Sequence, residues 1–124
     1  MAIQIKYQIT TGNVWIAGFL QPEKAYAGHG SGLNNPAAEN QQGVGPLPEG
    51  LWKITTWFDH PHLGPMVSHL TPINVENTYG RSGFFIHGDN SAQDHSASDG
   101  CIIMDHNLRQ RVKDSGATRL WVIA

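Results

Sequence analysis

No apolar run in this sequence is long. Fourteen glycines and seven prolines interrupt 124 residues, and the longest apolar stretch runs only from Val14 to Leu20. Glycine weakens a helix interior and proline breaks it, so a long helical bundle or coiled coil is excluded. The chain must fold through short elements joined by turns. The same stretch falls far short of the roughly 20 apolar residues that cross a bilayer, so no membrane span is expected. Hydrophobic residues make up 40% and charged residues 15%, the reverse of the balance that keeps a chain disordered. The length suits one domain over residues 1–124. With 8 basic against 10 acidic residues the net charge is −2, and no Lys/Arg cluster marks nucleic acid or an anionic surface as a partner.

Residues 3–9 place Ile3, Ile5, Tyr7 and Ile9 at a period of two, which predicts a strand with one wet face. This start does not resemble an export core, so the chain is expected to be made in the cytoplasm without a signal peptide. A second strand is predicted over 13–20, joined to the first by a turn at Thr10–Asn13. From Ala25 to Gly50 the sequence is a long loop of turn formers, and long ordered loops are more often functional than idle. Leu51 to Phe58 is a strand candidate, and Val67 to Val75 suggests short extended pieces around Pro72. Gly83–His87 and Cys101–Met104 are two short, very apolar strands. Asp105 to Ser115 predicts a helix, with Asp105 as N-cap, Leu108 and Val112 on one face, and Gly116 closing the end. Thr118 to Ile123 is a last strand. The expectation is a mainly β domain with one short helix after Cys101.

Cys101 is the one cysteine, so no internal disulfide framework exists. A lone thiol is usually a small buried hydrophobe, but its neighbours here are those a nucleophile needs. A base for its proton is available in His87. Gly100 leaves open backbone beside the sulfur, and the amides of Gly100 and Cys101 are candidate donors to an oxyanion. Gly88 lets the preceding strand end sharply with the imidazole exposed. If the His87 and Cys101 strands are antiparallel neighbours, about 4.8 Å apart, the two side chains meet at one sheet end.

His87-Gly88, a polar loop, then Ser98-Asp99-Gly100-Cys101-Ile102 and Met104 resemble the hallmark of the L,D-transpeptidase (YkuD-like) catalytic domain. The run Pro48-Glu49-Gly50-Leu51-Trp52-Lys53-Ile54 is similar to an upstream motif of that family. Asp99 stands where many members have His, Ile103 where many have Arg, and the loop after His87 is shorter. Together with Leu33-Asn34-Asn35-Pro36 and Gly45-Pro46-Leu47-Pro48-Glu49-Gly50, these departures resemble the divergent DUF2778 branch, which includes type VI secretion effectors of the Tlde1 type. The resemblance covers about residues 26–104. It implies an L,D-transpeptidase-like β-sandwich or barrel and a cysteine enzyme acting on peptidoglycan stem tetrapeptides through a thioester. The outcome would be L,D-carboxypeptidase activity or D-amino-acid exchange, without cofactor or metal. An antibacterial effector would work in the periplasm after delivery by secretion machinery or after lysis, and would be countered by an immunity protein.

In that frame Cys101 is the nucleophile and His87 keeps it as thiolate, with Ser98 and Gly100 supporting the pair. Arg81 would grip a substrate carboxylate in place of the Arg missing at Ile103. Tyr79 and Trp52 would wall the cleft. Asp89, Asp94 or a backbone carbonyl would orient His87. Two other readings compete. His60 and His62, with His69 and His87, have the spacing of a zinc hydrolase, although Pro61 and Gly64 make the segment a turn. A non-catalytic cell-wall-binding module would use the four Trp residues to stack on sugars. Peptidases of the NlpC/P60 type place Cys before His, the reverse of the order here.

Overall fold

Alternation places Ile5, Tyr7, Leu120 and Val122 on one buried face, and these residues sit on the two strands that tie the chain's ends together. The structure, a computed structural model, describes residues 4–89 and 98–124. Strand β1 (Gln4–Gln8) lies parallel to β8 (Arg119–Ile123), with Ile5 opposite Leu120 and Tyr7 opposite Val122. The remaining strands are β2 (Val14–Ile16), β3 (Phe19–Leu20), β4 (Gly50–His60), β5 (Gly64–Asn74), β6 (Phe85–His87) and β7 (Ile102–Ile103). All join one eight-stranded sheet in the order β3-β2-β1-β8-β4-β5-β6-β7. The helix α1 (His106–Asp114) inserts Leu108 and Val112 into the core with Trp52, Leu70, Ile86 and Ile102. Its N-cap is Asp105, whose side chain accepts from the Leu108 N–H at 2.7 Å, and Gly116 closes it at φ +71°. The fold is mainly β with one short helix, as the sequence predicts.

Three expectations change. The predicted 13–20 strand breaks into β2 and β3, because Ala17 and Gly18 both turn at positive φ. The segment around Pro72 is one continuous strand. The last bond from β5 to the β6 side is Leu70 N–H to Phe84 O at 2.8 Å, and the β4 ladder shifts register between Leu51 and Trp52, next to Pro72, so the missing N–H is tolerated. Most important for the site, β6 and β7 are parallel, with Ile86 opposite Ile102 and His87 opposite Ile103.

The 25–50 loop is built against the other side of β7. Tyr26 bridges Ile103 in both directions, Tyr26 N–H to Ile103 O at 3.1 Å and Ile103 N–H to Tyr26 O at 2.7 Å. Single 3-10 turns follow at Gly30–Gly32 and Pro36–Ala38. The loop thus stands where the sheet's next strand would be.

Candidate active site

Parallel pairing normally separates the end of one strand from the start of the next. Here both strands are so short that the separation is small. Strand alternation carried back from Ile103 puts Cys101 on the face of His87, two residues offset, with Cα atoms roughly 8 Å apart by ideal spacing. By this register the two side chains project from the same face of the sheet.

His87 is buried. Its Nδ1 lies 2.7 Å from the Gly88 carbonyl oxygen. A carbonyl only accepts, so Nδ1 carries the hydrogen and Nε2 keeps a free lone pair. Burial pushes the imidazole below its ordinary range; the Gly88 bond opposes this, the Arg109 cation adds to it, and Asp89 opposes it. A backbone carbonyl therefore orients His87. Asp89 also accepts from Tyr26 Oη at 2.7 Å, and Asp94 lies outside the described residues.

The Cys101 sulfur is partly exposed, at a cavity of about 240 Å³ lined by Gln42, Gly43, Arg81, Gly83 and Phe84 among others. The Phe85 N–H donates to Sγ at 3.4 Å, and Sγ lies 3.7 Å from the Gly83 carbonyl. Burial pushes the thiol up. The amides of Phe85 and Cys101 and the Arg81 cation pull it back, and Asp99 adds to the rise. Both shifts run toward the neutral forms, thiol and imidazole, and so against a standing thiolate.

Ser98 is fully buried and saturated. Its Oγ accepts from Gly28 N–H at 2.9 Å and Gly100 N–H at 3.0 Å, and donates to Cys101 O at 2.6 Å. Its carbonyl is 2.7 Å from His29 Nδ1. Ser98 shapes the cysteine turn through these bonds. It also occupies the Gly100 amide, so that N–H is not a free oxyanion donor. Gly100 sits at φ +136°. A Cβ there would lie 2.6 Å from Arg81 Nη2 and 2.8 Å from the Phe84 ring, which is why the position is glycine.

The three residues expected to touch substrate divide. Arg81 is buried and gives its four terminal N–H bonds to main-chain carbonyls: Nη1 to Glu39 at 2.6 Å and Pro46 at 2.8 Å, Nη2 to Gly45 at 2.8 Å and Asp99 at 3.1 Å. That leaves no bidentate fork for a substrate carboxylate, so the expected grip is corrected. Trp52 is also corrected: it is 1% exposed, its Nε1 donates to Pro48 O, and its ring meets Phe84 edge-on at 5.3 Å. Tyr79 is exposed but lines a separate acidic hollow with Glu39, Glu49, Glu76 and Asn77. Its hydroxyl donates to Glu39 Oε1 at 3.2 Å.

His60 caps the β4–β5 turn, its Nδ1 accepting from the His62 and Leu63 amides at 3.0 and 3.1 Å. Among the described residues no group of three or more His, Cys, Asp or Glu side chains is arranged to hold a metal. His69 stacks on Phe85 at 4.8 Å. Arg109 was not foreseen. It is buried behind Gly88, donating to Pro65 O at 2.8 Å and Met66 O at 3.2 Å. Its partners are carbonyls, which leave no mark in a sequence.

Comparison with known proteins places the fold. The model of the Tlde1 domain matches residues 22–120. The chain belongs to the Tlde1 domain family. Its fold is that of L,D-transpeptidases. L,D-transpeptidase 1 of Mycobacterium tuberculosis superposes over 99% of this chain and 62% of its own, with TM-score 0.55 and 16% identity. The catalytic domain of the E. faecium L,D-transpeptidase matches over 98% of this chain and 96% of its own, with TM-score 0.57 and 15% identity. The helical cell shape determining protein Pgp2 of Campylobacter jejuni matches over 98% and 46%, with TM-score 0.61 and 19% identity. The chain therefore spans less than two thirds of the mycobacterial and Campylobacter proteins. No curated protein sequence matches it. Among the described residues no helix is long and apolar enough to cross a membrane.

Proposed function

We propose that this Tlde1-family domain is a cysteine enzyme that modifies peptidoglycan, cutting or exchanging the last residue of stem tetrapeptides. The observation that carries the reading is the fixed tautomer of His87. Its Nε2 keeps the lone pair, and the strand register sets the ring on the face of a partly exposed thiol that opens to a cavity.

When a stem peptide enters, Cys101 gives its proton to His87 Nε2 as the sulfur attacks the carbonyl of the third residue. The tetrahedral oxyanion collapses, the bond to the terminal D-alanine breaks, and His87 returns the proton to the leaving amine. A thioester remains on Cys101. Water, activated by the same imidazole, releases a shortened stem. A free D-amino acid gives exchange and a neighbouring stem gives a cross-link. Burial favours the neutral thiol and imidazole, so in this reading proton transfer accompanies attack and the acid limb of the rate should lie below the ordinary imidazole value of about 6.5. With that substrate class, the proposed site of action is the periplasm or cell wall. An antibacterial role, delivered by secretion machinery and restrained by an immunity protein, is part of the same proposal.

The test is mass spectrometry of muropeptides after incubation, with and without an added D-amino acid. Cys101→Ala and His87→Ala are each expected to lower turnover by at least about 1,000-fold while circular dichroism stays native. Full turnover by either variant would retire the assignment.

A further inference from the structure

Arg81 has an unusual setting. It is a buried cation that no ion pair joins to a carboxylate among the described residues. The nearest candidate is turned elsewhere: the Glu39 carboxylate accepts from Tyr79 Oη and from the Glu49 amide, while only the Glu39 carbonyl reaches Arg81. Interior charges normally have a partner of opposite sign. Here four carbonyl dipoles and the face of Phe84, at 5.1 Å, do the solvating. None of these cancels the charge. The guanidinium lines the same cavity as the Cys101 sulfur and packs on Gly100, the residue before it.

We propose that Arg81 is a positioning residue that works through Cys101. Its planar fork pins the Asp99 carbonyl to the 39–46 loop and so sets the turn that aims the sulfur. Its charge, in direct contact with no carboxylate and lining the same cavity as the sulfur, favours the anion that the sulfur must become. This rests on the reading of Cys101 as nucleophile. Lysine cannot replace it, since an ammonium has three donors and no plane, yet lysine keeps the charge. That separates the two parts of the role.

The experiment is the pH profile of Cys101 alkylation by iodoacetamide, run on the full chain with circular dichroism as the folding control. Arg81→Met is expected to move the alkylation midpoint up by about one pH unit and to lower stem turnover by about 100-fold. Arg81→Lys is expected to hold its midpoint close to the wild type but lose about 10-fold in turnover, because the turn is no longer pinned. A folded Arg81→Met with the wild-type midpoint overturns the proposal, as does an Arg81→Lys midpoint that moves as far as that of Arg81→Met. A readout that needs no Arg81 variant is the Arg81 Nε–H resonance of the wild-type protein. It is expected to shift with the thiol titration and to stay flat in Cys101→Ser, and a flat wild-type signal overturns the coupling. The alkylation profile contains no peptidoglycan, so its failure counts against Arg81. A Cys101→Ala variant that still processes stems counts against the nucleophile.

Discussion

On the Cys101 side of the site, Arg81 lies against Gly100 and bonds to four loop carbonyls. On the His87 side, Arg109 lies against Gly88 and bonds to carbonyls of β5. The two corners share one plan: a glycine, a buried guanidinium on its open face, and main-chain oxygens in place of a carboxylate. They differ in what the charge does. Beside a thiol, a fixed cation favours ionisation; beside an imidazole, it opposes protonation. In the proposed reaction, one charge would help Cys101 lose its proton and the other would keep His87 ready to take it. They differ too in rigidity, since Gly100 is at φ +136° and Gly88 is not in the left-handed region.

The sharpest way to break this parallel is Gly100→Ala. Its methyl would meet Arg81 Nη2 and the Phe84 ring at a backbone angle alanine avoids. Strain and overpacking together should cost on the order of 4 kcal/mol, read by urea unfolding, with turnover falling more than the residual folded fraction explains. Next in size is Arg109→Met. Losing that cation raises the His87 pKa, so on acidification the neutral imidazole disappears at a higher pH. The acid limb of stem turnover should move up by about half a pH unit while the alkylation midpoint of Cys101 stays in place. Movement of both, or of neither, would mean the corners are not electrostatically separate. The smallest effect belongs to Gly88→Ala. Its methyl would meet only the far end of Arg109, 2.8 Å from Nη2, and that side chain can shift. A cost of about 1 kcal/mol is expected, and a loss equal to that of Gly100→Ala would erase the distinction between the corners.

Much of this was legible in the residues. His87-Gly88 and the Ser98–Cys101 run pointed to the family. Asp105, Leu108, Val112 and Gly116 marked α1, because capping and amphipathic spacing are local. The parallel pairing of β6 and β7 was not legible: strands of two or three residues carry too little pattern to fix direction. Arg81 and Ser98 were noticed, but their contacts were not. A guanidinium that ends on carbonyls more than thirty residues upstream, or a hydroxyl that joins Gly28 to Gly100, has partners in the main chain, and every residue has a main chain. Trp52 was placed at the cleft because its motif lies near the site, whereas its bulk settled beneath Phe84 in the core.

The loop that replaces the sheet's next strand has a consequence of its own. The segment around the sulfur is fastened chiefly to that loop, through Tyr26, Gly28, His29, Leu47 and the carbonyls that Arg81 holds. The outermost part of the loop, near Gln41 and Gln42, is exposed. A single protease nick there is expected to leave all eight strands paired and still slacken the clamp, with stem turnover falling while circular dichroism stays native.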